Sequence, residues 1–274
     1  MNIVQAFKMA LRSITAKKVR AILTMLGIII GVASVVIMVS VVKGSNQKML
    51  EYFERLGNNK VTVLTHGRER PGLKELIYEY CDRRKDVFSG ITPDVDLSMP
   101  ISYGARNTTK METGGPSIHL GNTSYSICNN FQIGKGRDLS YLDVKNSSKV
   151  CVLGAATADY LFNFANPIDQ IITISGTPFR VVGVYDYKGD RSSSSSGTED
   201  DQWINEMISG MDKMILLPST MNRIFNNNEP ISDYVVKVRS AEDLRPVITG
   251  LKGFLSKMID SNNGYYSVDS NDVY

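Results

Sequence analysis

Residues 21–42, AILTMLGIIIGVASVVIMVSVV, decide how the rest of the chain is read. The stretch contains no charged residue and no proline. As a helix rising ~1.5 Å per residue, it covers roughly the ~30 Å hydrocarbon thickness of a bilayer. Its polar members, Thr24, Ser34 and Ser40, can bond their hydroxyls back to the helix backbone. A buried helix of a soluble protein seldom runs so far without a charge. A cleaved leader fits less well, because the run is longer than the apolar region of a signal peptide and residues 1–20 precede it. The stretch predicts a transmembrane helix.

The flanks orient it. Residues 1–20 carry Lys8, Arg12, Lys17, Lys18 and Arg20 and no acid, whereas the far side offers Lys43 and then Glu51 and Glu54. Basic residues mark the cytoplasmic flank, so the N-terminus is expected in the cytoplasm and the remainder outside it, at the plasma membrane. The chain has 31 basic and 28 acidic residues, net +3. Five of the basic residues lie in the leader and every acid lies beyond the span, so residues 43–274 carry −2. The positive charge is a matter of topology, with the lipid bilayer as partner, and gives no nucleic-acid footprint.

Within the span, Thr24, Gly27, Gly31 and Ser34 fall on one helical face. Gly27 and Gly31 form a GxxxG step that lets a second helix approach closely. Ahead of the span, Ile3, Val4, Phe7, Ala10, Leu11 and Ile14 line one face of a basic amphipathic helix, expected to lie in the membrane interface over residues 1–20. Behind it, KGSNQKMLEYFERL keeps helical character up to Gly57, so a stalk is expected over 43–57.

The outer part reads as α+β. KVTVLT at 60–65 alternates as a strand, and Pro71 opens an expected helix of about 14 residues with Leu73, Leu76, Ile77, Tyr80 and Arg84 on one side. The same order returns later: a strand over 231–239, a helix over 244–259 capped by Asp243, and a closing strand over 265–269. Segments 58–103 and 231–274 are thus expected to form one α/β part. Between them, 104–230 reads as an inserted, mostly β part. Its expected strands are 117–120, 125–127, 149–153, 171–175 and 179–186, with a hairpin turn at Gly176-Thr177-Pro178 and a helix over 155–162. RSSSSSG at 191–197 is a low-complexity loop, and a short helix around Trp203 and Ile204 is expected beside it.

Catalytic signatures are missing. There is no GxxxxGK[ST] loop, so ATP hydrolysis is not expected from this chain. His66 and His119 are isolated, no GxSxG elbow occurs, and Asp200 and Asp201 read as solvated. The reading therefore assigns no catalytic, metal or cofactor site. Cys81, Cys128 and Cys151 include no CxxC pair; Cys128 with Cys151 could bridge outside the cytoplasm, but free buried thiols are expected.

VRAILTMLGIIIGVASVV after a basic leader resembles the first membrane helix of MacB-like and FtsX-type ABC transporter permeases. So do Gly136-Arg137-Asp138-Leu139 with Asp143, VCVLGAATADYLF around Gly154, FRVVGV around Gly183, and MILLP ending at Pro218. The resemblance implies a porter-like α/β subdomain with an inserted β subdomain. It also implies a non-catalytic permease subunit, paired as a homodimer or heterodimer and driven by a separate or fused ABC ATPase. Motion would pass outward through the stalk helices. Three further membrane helices would follow in such a permease, so the chain is expected to be part of a longer protein. NPIDQIITI departs from the family in carrying Asp169 where glycine is usual. Two alternatives remain open: an FtsX-like regulator of an extracellular hydrolase, and a single-pass sensor or binding protein.

Overall fold

A computed structural model describes residues 5, 8–9, 17–56, 59–69, 72–108, 115–188 and 209–270. The expected interfacial helix, the stop at Gly57, the start at Pro71, the 191–197 loop and the Trp203 segment lie largely or wholly outside these. The chain forms two units, Met1–Tyr52 and Phe53–Tyr274.

Helix α1 runs unbroken over Lys18–Leu56, 39 residues. Lys18–Gln47 is apolar and long enough to cross a membrane by length and composition, with no part of the window buried. Thr24 Oγ1 donates to the carbonyls of Arg20 and Ala21, both at 3.0 Å, and Ser34 Oγ to that of Ile30 at 2.7 Å. These bonds remove the cost of a bare hydroxyl among apolar side chains.

The second unit starts with β1 (Lys60–Glu69), α2 (Leu73–Asp82) and β2 (Phe88–Pro93). After a long excursion it returns with two further strands and a helix. The excursion runs β3 (Val95–Ser98), β4 (Ile101–Tyr103), β5 (Arg106–Asn107), β6 (Ser117–Gly121), α3 (Tyr125–Asn129) and β7 (Ile133–Gly136). It continues through α4 (Tyr141–Lys145), β8 (Val150–Leu153), α5 (Ala155–Phe162), β9 (Ile171–Ile174), β10 (Thr177–Tyr185), β11 (Met214–Pro218) and α6 (Asn222–Phe225). The return elements are β12 (Asp233–Val238), α7 (Leu244–Met258) and β13 (Ile259–Ser270).

The first sheet is antiparallel, in the order β13-β1-β12-β2. Val61 and Val63 on β1 stand opposite Val236 and Tyr234 on β12, so the four share one face. Leu73, Ile77 and Cys81 of α2 and Leu244, Val247, Leu251 and Leu255 of α7 close over that face in one core. The spacing of these residues gives each helix a single apolar stripe.

The second sheet is mixed, in the order β3-β6-β11-β8-β10-β9-β4-β5, with β7 also paired to β10. Its central strands VCVL and MILLP are buried along their whole length. Alternate residues enter different cores: Cys151, Leu153, Ile215 and Leu217 on one face, Val150, Val152, Met214 and Leu216 on the other. A sheet covered on both faces needs continuous apolar strands, which is why these segments show no polar alternation.

Several expectations are corrected. Strands over 95–103, expected with the first part, hydrogen-bond into the second sheet through β6 and β9. Residues 125–127 were expected as a strand and lie in helix α3, started by a local turn in which Asn122 Oδ1 accepts from Ser124 N at 2.9 Å. Helix α2 has 10 residues, shorter than expected. Asp243 stands at the α7 start without a side-chain cap; Ser240 Oγ instead accepts from Glu242 N in a preceding 3-10 turn. The β9–β10 hairpin turns on Ser175 and Gly176, both at positive φ, one residue ahead of the expected position. All three cysteines are free and buried.

Candidate functional site: the membrane helix face and the lobe seam

Along α1, nothing lies within 4 Å of a Cβ built on Gly27 or on Gly31. With Thr24 and Ser34 they leave an open shallow stripe. Lys8, Lys17, Lys18 and Arg20 are exposed, and Arg12 lies outside the described residues. Exposed apolar residues continue along the rest of the helix, with Ile28 at 67% and Met38 at 71%. In water such a surface would be an aggregation hazard, and in lipid it is solvated.

Of the motif residues of the second unit, Gly136, Arg137, Asp138 and Gly183 converge on strand β10. Gly136, at φ 75°, stands opposite Gly183 in the β7–β10 pairing. A Cβ on Gly183 would lie 2.1 Å from the Arg137 carbonyl oxygen, and one on Gly136 would lie 2.3 Å from that of Val182. Beside Gly183 the pairing of β10 with β8 shifts register between Val181 and Gly183. Val181 and Val184 consequently enter one core while Val182 and Tyr185 enter the other. The bulge flips the strand's facing by one residue.

Arg137 is held by Asp143, Nη1 to Oδ2 at 2.6 Å and Nη2 to Oδ1 at 3.4 Å. Asp143 also accepts from Ser140 N at 2.9 Å and Oγ at 2.7 Å, and Ser140 Oγ caps α4 in return. Burial alone would raise the Asp143 pKa, but the Arg137 and Ser140 hydrogen bonds prevail and hold it at about 2. The adjacent Asp138 accepts from Ser126 Oγ and from the Tyr185 hydroxyl. Gly154 runs against the Asp212 backbone, where a Cβ would meet its carbonyl oxygen at 2.4 Å, and Pro218 ends β11. Asp169 sits at φ 63° with its N–H bonded to the Val181 carbonyl. An aspartate thus adopts the left-handed geometry that glycine adopts most readily, so the turn survives the departure from the family pattern.

Between the sheets lies a polar seam that the sequence did not announce. Helix α3 rests on Gly90, where a built Cβ would lie 3.0 Å from Ser124 Cβ and 3.4 Å from Cys128 Sγ. Asn122 Nδ2 donates to the Ile91 carbonyl at 2.9 Å, tying the loop to β2. Lys60 Nζ donates to Asn129 Oδ1 at 2.7 Å, and Lys188 Nζ to the Asn129 carbonyl at 2.5 Å. Lys188 also lies 4.1 Å above the Phe131 ring. Burial, reinforced by Lys60 and against the pull of Asp212, lowers the Lys188 pKa to about 7. Asp94, joining β2 to β3, approaches His119 Nδ1 at 3.2 Å. Its pKa falls because His119 and Lys60 outweigh burial. Of the seam residues, Lys60 and His119 stand in strands where the sequence reading placed them.

The family model described as MacB-like periplasmic core domain matches residues 21–253. The chain belongs to that family. Among curated MacB-like relatives, each named as a macrolide export ATP-binding/permease protein MacB, that of Shewanella sp. is 32% identical over 192 residues, 68% of this chain. That of Haemophilus ducreyi is 28% identical over 260 residues, 91% of this chain. The chain spans only 29% and 35% of those two relatives. Two solved structures share the MacB-like fold. One is the periplasmic region of MacB from Actinobacillus actinomycetemcomitans, with TM-score 0.55 and 18% identity, covering 81% of this chain and 94% of that one. The other is the extracellular domain of the noncanonic ABC-type transporter YknZ from Gram-positive bacteria, with TM-score 0.52 and 14% identity, covering 77% and 100%.

Proposed function

We propose that this chain is the N-terminal half of an ABC-type export permease. In this reading α1 crosses the plasma membrane from a cytoplasmic N-terminus, and the two-sheet unit stands outside. An ATPase, separate or fused, closes a permease dimer from the cytoplasmic side. The motion travels outward along α1 to the two-sheet unit, which handles the exported substrate. The chain itself performs no catalysis.

The observation that carries the reading is the single family match running through both the apolar helix and the outer sheets, from 21 to 253. Three features support it. Helix α1 continues to Leu56 without a break, at ~1.5 Å per residue far longer than the ~30 Å a membrane requires. The open Thr24–Gly27–Gly31–Ser34 face suits a neighbouring helix. The basic leader favours a cytoplasmic start. The relatives' names point to macrolides as the substrate class to test first.

The test is purification of the full-length permease with its ATPase, followed by ATP hydrolysis with and without candidate substrates. Copurification and substrate-stimulated hydrolysis are expected. A protein that neither binds an ATPase nor has its outer part cut by protease added to intact cells would overturn the reading.

A further inference from the structure

A cleft of about 760 Å³ lies where the two sheets meet. One wall comes from α2 and β2, the other from the Asn122–Ser124 turn and Tyr141 at the start of α4. Its volume is that of a small-molecule site, and its walls come from elements attached to the two different sheets, a common position for such sites.

The lining specifies a chemistry. The carboxylates at the rim are already engaged. Asp82 pairs with Lys85 at 2.8 Å, Glu79 pairs with Arg83 at 2.5 Å, and Arg239 Nε donates to the Lys85 carbonyl at 2.9 Å. A cationic ligand finds no unanswered carboxylate there, and Arg239 is the one lining charge whose partner among the described residues is a neutral carbonyl. Uncharged donors, by contrast, are plentiful. Tyr78 Oη accepts from Asn122 Nδ2 at 3.3 Å, but its own proton reaches no protein acceptor among the described residues. The hydroxyls of Ser89, Thr123 and Ser124, also in the lining, likewise bond to no protein atom among the described residues. Burial raises the Tyr78 pKa, so the phenol stays protonated and remains a donor. The apolar component is equally clear. Phe88 and Ile91 are buried at the base, and the Tyr141 ring is 67% exposed, with Lys145 Nζ 5.7 Å from its centroid.

Hydroxyl groups donate and accept, so a wall of them matches a ligand that does the same. An aromatic platform beside them matches a ligand with one apolar face. We infer that this cleft binds an uncharged, polyhydroxylated ligand with an apolar face: a pyranose sugar unit, either free in the extracytoplasmic space or displayed on a larger glycoconjugate. The Tyr141 ring stacks against the sugar's C–H face, and Tyr78 with the serine and threonine hydroxyls takes its edge. Because both walls are touched, the sugar bridges the two sheets. The site needs only the outer unit, so its failure leaves the permease reading standing.

Saturation-transfer NMR on the detergent-solubilised chain tests this with maltose, cellobiose and chitobiose. Glucosamine and glucuronate are the charged comparators. A maltoside-headed lipid in nanodiscs separates a displayed sugar from a free one. At least one neutral sugar is expected to receive saturation, strongest at its ring C–H protons. Tyr141→Ala should weaken that binding about tenfold and Tyr78→Phe about fivefold, with melting temperatures unchanged. Binding only in the nanodisc arm would assign the displayed source, and binding of the free sugars the soluble one. Saturation of only the charged compounds, of none, or to the same degree in Tyr141→Ala would overturn the assignment.

Discussion

Gly183→Ala tests whether the bulge in β10 rests on backbone contact. The new Cβ would stand 2.1 Å from the Arg137 carbonyl oxygen, against ordinary contacts of 3.4 Å and beyond. β7 and β10 must therefore part by more than an ångström where Gly136 faces Gly183. That movement strains the bond from Arg137 N to the Val182 carbonyl, 2.9 Å long. Overpacking of this kind costs ~1–3 kcal/mol, and the weakened bond adds about 1 kcal/mol. A loss of about 3 kcal/mol follows, or roughly 6–12 °C in Tm for a domain of this size. Urea unfolding followed by circular dichroism in detergent reads it directly, with an unchanged m-value if the unfolded state is untouched. Gly253→Ala in α7 is the control. It meets nothing within 4 Å and sits in a helix interior, so it should be neutral or stabilise by up to about 1 kcal/mol. A Gly183→Ala loss below 1 kcal/mol would show that the strands can part freely and that the motif glycine serves no close approach.

Asp143→Asn should destabilise by about 2 kcal/mol. The carboxyl is depressed to about 2, so its contribution is complete above its unfolded pKa near 4 and is lost as pH falls toward 2. Acid titration of stability should flatten between those values in the variant; an unaltered acid limb would refute the ion-pair account. For Lys188 the slope has the same sign but lies in a higher pH window, and there it marks a charge that costs stability when protonated. Its pKa is lowered from 10.5 to about 7, so between these values the unfolded chain binds the extra proton and stability rises with pH, by at most ~1.4 kcal/mol per unit. Lys188→Met should remove that slope and stabilise the protein near pH 6 by ~1–3 kcal/mol, and a slope persisting in the variant would contradict the assignment. In the membrane, Gly27→Leu and Gly31→Leu should abolish crosslinking between neighbouring helices while the outer unit keeps its circular dichroism. Undiminished crosslinking would remove the stripe from the packing account.

How far the sequence could be read depended on how local each signal was. Helix α1 declares itself through an uncharged apolar run, and the 155–162 helix and the strand–helix repeat through periodicity, which neighbours in sequence suffice to reveal. Tyr125–Asn129 did not, because its aromatic and β-branched residues favour strand, while the Asn122 turn and the contact with Gly90 impose a helix. The capping box Ser140–Asp143 heads a helix of only 5 residues, too short for periodicity to register. Strands 95–98 and 101–103 went to the wrong part because their partners lie far along the chain. Lys188 gave no signal at all, since its lowered pKa is created by burial in a seam between distant segments, reinforced by Lys60. The family motifs stand between these extremes. They were recognisable before anything explained them, and their explanation is backbone contact. Gly136, Gly154 and Gly183 each lie where a side chain would strike a carbonyl oxygen, at 2.3, 2.4 and 2.1 Å. Arg137 and Asp143 fasten the turn between them. Such a motif supplies no reagent; it fixes how strands lie on one another, and its function must be sought in what that fixed frame holds together.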